Sequence, residues 1–143
     1  MPKISLEVVT AERLVFSGDV DSVTAPGSDG ELTILPRHAP LLTTLRPGVL
    51  RLKSDDVESE LAISGGFLEV EPNRVRVLAD AAERPEEIDV DGAQAALDRA
   101  KAAIDQAQRG GQTDMRAAIA ELRRSQVRLK VARRRRPNTT QHD

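Results

Sequence analysis

The apolar residues of this chain change period at Pro85, and that change divides the fold. Before about Glu83, short apolar–polar alternations are punctuated by Gly, Pro, Asn and Asp. After Ile88, apolar residues recur three and four apart in a stretch rich in Ala, Gln and Arg. A period of two puts successive side chains on opposite faces of a strand, whereas steps of three and four gather them on one face of a helix. The chain therefore specifies a β unit over 1–86, a helical unit over 87–137 and a disordered tail over 138–143. Charge divides as well: residues 1–112 carry 12 basic and 20 acidic side chains, and residues 113–143 carry 9 basic and 3 acidic. An acidic body with a basic arm suits a protein that docks through one part and meets an acidic partner with the other.

In the first unit Ile4-Ser5-Leu6-Glu7-Val8 alternates cleanly, and candidate strands follow over 14–17, 20–25, 31–34, 41–45, 49–52, 58–63, 67–70 and 74–79. Turn residues separate them: Gly18-Asp19, Pro26 to Gly30, Pro47-Gly48, Ser54-Asp55-Asp56 and Pro72-Asn73. About ten short strands at such spacing predict an antiparallel β-sandwich of two sheets. Phe16 and Phe67 are the only aromatic residues, so the core must be aliphatic and no platform exists for stacking nucleic-acid bases. The chain has no cysteine, which excludes disulfides, thiolate metal sites and a cysteine nucleophile. No apolar run approaches the roughly 20 residues that cross a bilayer, and the N-terminus lacks a signal-peptide profile, so a soluble chain without direct membrane insertion is expected.

In the second unit Val90, Ala93, Leu97, Ala100, Ile104 and Ala107 form one helical seam. Asp89 is placed to cap that helix and Gly110-Gly111 to end it. Thr113 is the expected cap of a second helix whose stripe is Met115, Ala118, Leu122, Ser125, Leu129 and Ala132, with Pro137 as its latest end. Two helices joined by a short Gly-containing link make an antiparallel hairpin. So many seam positions are alanine that the hairpin should be held weakly, at roughly 25 cal/mol per Å² of buried apolar surface. Val127 and Val131 lie about 160–200° around the second helix from Leu129 and should face outward. They are either scattered surface valines or a second docking face.

The residues supply little chemistry. His38 sits in a Pro-bounded corner, but the only other histidine is His142, so no His/Cys ligand cluster forms. Ser64 lacks the context of a nucleophile elbow. Gly65-Gly66 belongs to no phosphate-loop pattern and reads as a bulge or a close backbone approach. Arg133 to Arg136 would attract phosphates, yet the acidic body and missing stacking surface speak against nucleic acid. On these grounds the chain is a non-catalytic binding protein. A β-sandwich adaptor whose basic helical arm binds acidic protein or nucleic acid is one such reading.

Three segments go further. Gly30-Glu31-Leu32-Thr33-Ile34-Leu35-Pro36, continuing through His38-Ala39-Pro40-Leu41, Ser64 to Val70, and Ala82-Glu83-Arg84-Pro85-Glu86-Glu87-Ile88-Asp89 together resemble the epsilon subunit family of bacterial and chloroplast F-type ATP synthases. The resemblance covers residues 3–132 in matching order. It implies a β-sandwich followed by a helical hairpin in a non-catalytic subunit of the central stalk. The implied partners are the gamma subunit, the ring of c subunits and the alpha/beta catalytic subunits. The implied task is coupling proton-driven rotation to ATP synthesis and inhibiting ATP hydrolysis through the helices. It places the chain peripherally at the cytoplasmic face of the plasma membrane as part of the ATP synthase complex, or at the thylakoid equivalent in a photosynthetic host. Leu35, Pro36, His38, Ala39 and Pro40 of the corner, and Arg123, Arg124, Val127, Arg128 and Val131 of the second helix, are the implied partner-binding residues. No cofactor is required. Some members bind regulatory ATP through an Ile-Asp-x-x-Arg-Ala pattern, to which Ile88, Asp89 and Ala93 correspond, with Arg99, Arg124 and Arg128 in suitable register. Gly92 replaces the arginine, so weak or no ATP binding is expected.

Overall fold

The computed structural model describes residues 2–139, with side chains up to Arg134. The chain divides into two compact units, Met1–Arg84 and Pro85–Asp143. The first contains β1 (Ile4–Val9), β2 (Leu14–Val20), β3 (Ser22–Gly27), β4 (Gly30–Ile34), β5 (Leu41–Ser54), β6 (Val57–Glu71), β7 (Arg74–Ala79) and β8 (Ala82–Glu83). Hydrogen bonds connect them in the order β2-β1-β7-β6-β5-β3-β4, with β8 also on β6. Pairing is antiparallel except between β1 and β7.

The long strands make this one sheet into two layers. β5 and β6 keep one register from Leu41↔Val70 to Ser54↔Val57. Their neighbours change midway: β6 pairs with β7 over Gly66–Glu71 and with β8 at Ala62 and Ile63. The change falls where Pro47 and Gly48 of β5 stand opposite Ser64 and Ile63, beside Gly65 and Gly66 with φ of 108° and 131°. Pro withholds an N–H and glycine accepts positive φ, so both strands bend there and pass from layer to layer. Between the layers lie Leu6, Val8, Val15, Val23, Leu50, Leu68 and Val77, all fully buried. Each such side chain contributes roughly 1.5–3 kcal/mol of transfer free energy.

The sandwich is thus as expected, but with eight strands. The expected strands 41–45 and 49–52 are one strand, as are 58–63 and 67–70. Pro47-Gly48 is a bend inside β5, and Gly18-Asp19 lies within β2, the chain breaking instead at Asp21. Two expected turns are two-residue loops: Asp55-Asp56, both at positive φ, and Pro72-Asn73. Positive φ at both loop residues gives the twist that suits a tight hairpin.

In the second unit a single 3-10 turn, Pro85–Glu87, precedes α1 (Val90–Gln108) and α2 (Met115–Thr139). The Asp89 carboxylate accepts the Gly92 N–H at 3.0 Å, capping α1 as its position predicts. At the far end Gly111 N–H bonds Gln106 O at 2.8 Å and Gly110 N–H bonds Ala107 O at 3.2 Å, with Gly110 at φ 83°. This double closure is a Schellman motif. The cap of α2 is Asp114 rather than Thr113: its carboxylate accepts from Arg116 N at 3.0 Å and Ala117 N at 3.3 Å. A charged acceptor one residue closer to the first turn outcompetes the hydroxyl. α2 also passes the expected stop at Pro137 and reaches Thr139. A proline in a final turn deletes one hydrogen bond where carbonyls already lack partners. Asn138 and Thr139 are therefore helical rather than tail, and residues 140–143 lie outside the described residues.

Candidate docking surfaces

The register of four strands assembles a row of exposed apolar side chains on the sandwich. Leu14 of β2 stands opposite Val9 of β1, Val9 opposite Leu78 of β7, and Leu78 opposite Phe67 of β6. These residues alternate with the buried Val8, Val77 and Leu68 and so point away from the core. Leu14 is 55% exposed, Phe67 50% and Leu78 43%. A groove of about 320 Å³ runs along the row, lined by Val9, Thr10, Ala11, Phe67, Leu78 and Asp80. The next row carries charge instead, with Glu7, Arg76 and Glu69 side by side and Arg76 3.4 Å from Glu7. An apolar row bordered by charge is the anatomy of a docking face. Sequence reading missed it, because Leu14, Val9, Leu78 and Phe67 become neighbours only through register.

The corner 35–40 sits at one end of the same unit. Arg37 adopts φ 68°, its N–H donates to Pro72 O at 2.7 Å, and His38 N–H donates to Leu35 O at 3.1 Å. His38 Nδ1–H donates to Ala39 O at 2.7 Å, so the ring braces the corner's own backbone. Leu35 is 57% exposed, Ala39 and Pro40 are exposed, and Pro36 and His38 are half-buried. The five corner residues therefore share one loop, latched to the β6–β7 turn. At this end, too, Lys3 Nζ reaches Asp55 at 2.8 Å and Asp21 at 3.1 Å, while Asp55 N–H donates to Asp21 at 2.7 Å. Hydrogen bonds that the Lys3 ammonium donates to Asp55 and then Asp21 raise its pKa. The Asp55 N–H, and then Lys3, lower that of Asp21.

The helical candidates fare differently. Ile88 and Ala93 are buried, and Asp89 is occupied as the α1 cap. A Cβ on residue 92 would lie 2.4 Å from Asp89 Oδ2, so an arginine there requires the flexible capping carboxylate to shift. Arg99 is exposed and lines an Ala-rich groove of about 300 Å³ between the helices, together with Ala103, Thr113, Asp114, Ala117 and Glu121. Arg124 is paired with Glu121, Arg123 is exposed, and Arg128 is half-buried. Arg124 and Arg128 thus lie off the groove that Arg99 lines. The expected outward strip is a correction: Val131 is fully buried and Val127 half-buried. The seam holds Ala93, Leu97 and Leu129, flanked by Val90 and Leu122, and the 3-10 turn packs on α2 as well. Among the described residues no group of three His, Cys, Asp or Glu is placed to hold a metal, and no helix is long and apolar enough to cross a membrane.

A sandwich with an uncovered apolar row, joined to a basic helical hairpin, defines an accessory subunit that works by docking. The comparisons give it a lineage. The family model for the beta-sandwich domain of the ATP synthase delta/epsilon chain matches residues 3–85, and that for its long alpha-helix domain matches residues 86–133. The chain belongs to the ATP synthase epsilon chain family. It is 53% identical over 136 residues to the ATP synthase epsilon chain of Dehalococcoides mccartyi, covering 95% of this chain and 96% of that one. With the Roseiflexus protein of the same name it shares 60% over 93 residues, 65% of this chain and 67% of that one. In fold it is similar to a chain of the Euglena gracilis mitochondrial ATP synthase, in an OSCP/F1/c-ring structure, with a TM-score of 0.67 and 22% identity. That likeness covers 97% of this chain and 82% of the other. A Tetrahymena thermophila ATP synthase central stalk/c-ring chain follows at a TM-score of 0.58 and 18% identity, with 92% and 99% covered.

Proposed function

We propose that this chain is a central-stalk subunit of a proton-translocating F-type ATP synthase, held peripherally at the cytoplasmic face of the plasma membrane. It carries no catalysis of its own. Its sandwich binds the gamma subunit and the ring of c subunits, so that proton-driven rotation reaches the alpha/beta catalytic subunits. Its basic hairpin restrains ATP hydrolysis, and ATP is at most a weak regulatory ligand because Gly92 and the committed Asp89 cap leave an incomplete phosphate site. The observation that carries the docking role is the Leu14–Val9–Leu78–Phe67 row: half-exposed large apolar groups in one strand-spanning line call for a protein partner. The corner 35–40, with Leu35 exposed, serves the c-subunit end.

The test is titration of purified gamma with wild type and with a Phe67→Ser, Leu78→Ser double variant. Apolar anchors at an interface contribute roughly 2 kcal/mol each, so affinity should fall by at least tenfold while the sheet signal in circular dichroism stays. Binding of gamma by the variant as tightly as by wild type would remove this row from the interface.

A further inference from the structure

Two arginines, Arg13 and Arg84, are placed as a pair that joins β2 to β8 of the sandwich. β2 is the edge strand of its layer, and β8 is a two-residue edge strand on the other half of β6. No ladder joins them. Arg13, just before β2, donates from Nη2 to Ala82 O of β8 at 3.2 Å. Arg84, just after β8, donates back to Val15 O of β2 from Nε at 3.2 Å and Nη2 at 2.5 Å. The two stitches cross in opposite senses, each spanning 69 residues.

Val15 is a chosen acceptor. The β1–β2 register runs Val8↔Phe16 and then Val9↔Leu14, so Val15 is the extra residue of a bulge. A bulge leaves its extra residue out of the ladder, with a backbone group needing another partner. A forked guanidinium satisfies it with two donors at once, which a lysine ammonium on a flexible stem does not reproduce. The position of Arg84 matters as much as its bonds. It is the last residue of the first compact unit, and Pro85, with φ preset, opens the second.

We infer that Arg13 and Arg84 form a latch that anchors the end of the sandwich unit, so that any rearrangement of the helical unit pivots at Pro85 and leaves β8 in place. The pivot's regulatory use rests on the proposed function; the latch itself does not. A double stitch keeps the short β8 closed, since two ladder residues alone would fray. Movement of the hairpin would then be confined to the backbone after Arg84.

Hydrogen exchange on the full chain tests the latch, comparing wild type with Arg84→Gln and Arg84→Lys. Both variants should raise exchange at residues 82–84 by about tenfold or more, the loss of one charge-assisted bond, with the β5–β6 and β1–β7 ladders unchanged. Unchanged exchange at 82–84 overturns the latch. A uniform rise across all strands overturns it too, since Arg84 would then stabilise the whole sandwich and not its end. A second arm adds the variants to gamma and the catalytic subunits. Altered inhibition of hydrolysis with normal gamma binding supports the pivot. Unchanged inhibition despite loosened residues 82–84 refutes the pivot while leaving the latch standing. Loss of inhibition by wild type as well would count against the proposed function alone.

Discussion

Replacing Gly66 with alanine should be among the most damaging single changes in the sandwich, and Gly30 provides the control that isolates why. The two glycines share a backbone conformation, with φ of 131° at Gly66 and 130° at Gly30. Holding an L-residue in such a sparsely populated region costs roughly 1–3 kcal/mol at either site. Their surroundings differ. A Cβ on Gly30 meets nothing within 4 Å, whereas one on Gly66 falls 2.1 Å from Leu78 O and 2.8 Å from Ala79 Cα. Both of those atoms are backbone, so no rotamer change relieves the contact. The pair Gly66↔Ala79 must separate, giving up one or two ladder hydrogen bonds at roughly 1 kcal/mol each. Gly66→Ala should therefore cost about 2–5 kcal/mol and Gly30→Ala about 1–3, against a whole-domain stability of roughly 5–15 kcal/mol. Urea unfolding followed by the sheet signal in circular dichroism measures both. A gap of about 1–2 kcal/mol separates the two midpoints by about 0.5–1 M urea at an ordinary slope. Equal midpoints would show that conformational strain alone matters and that β7 yields freely.

Three further outcomes follow from the geometry. The Lys3–Asp21–Asp55 clip should stabilise the fold within a pH window. Asp21 is depressed from its ordinary 3.8, so its contribution is present above that value and lost as pH falls through the folded one; Lys3 is raised from 10.5, so its contribution is lost only as alkali passes the folded value. The midpoint gap between wild type and Asp21→Asn should close in acid, and a gap that persists at the lowest pH would refute the linkage. Replacing Arg123, Arg124 and Arg128 with Gln should relieve inhibition of ATP hydrolysis, and added salt should weaken the wild-type effect; equal inhibition by the neutral variant at low salt would assign it to apolar packing. Gly92→Arg should tighten ATP binding in calorimetry, the flexible Asp89 carboxylate shifting to admit the added side chain. No gain in binding would take ATP out of this hairpin's function.

What the sequence determined by itself is local. The division at Pro85 was legible because helix and strand periods differ over any dozen residues. Asp55-Asp56, Pro72-Asn73, the Asp89 cap and the Gly110-Gly111 ending were legible because each is decided within about five residues of chain. Tertiary structure decided the rest. Pro47-Gly48 and Gly65-Gly66 carry the chemistry of turns, but strands paired along both edges hold them as bends, which lengthens β5 and β6. Val131 is turned outward by periodicity relative to Leu129, yet the folded chain buries it completely. The Leu14–Val9–Leu78–Phe67 row and the Arg13–Arg84 latch exist only once strands distant in sequence are aligned. Side-chain type and spacing dictate which face of an element is apolar; only register and packing decide which of those faces remain uncovered, and docking depends on the uncovered ones.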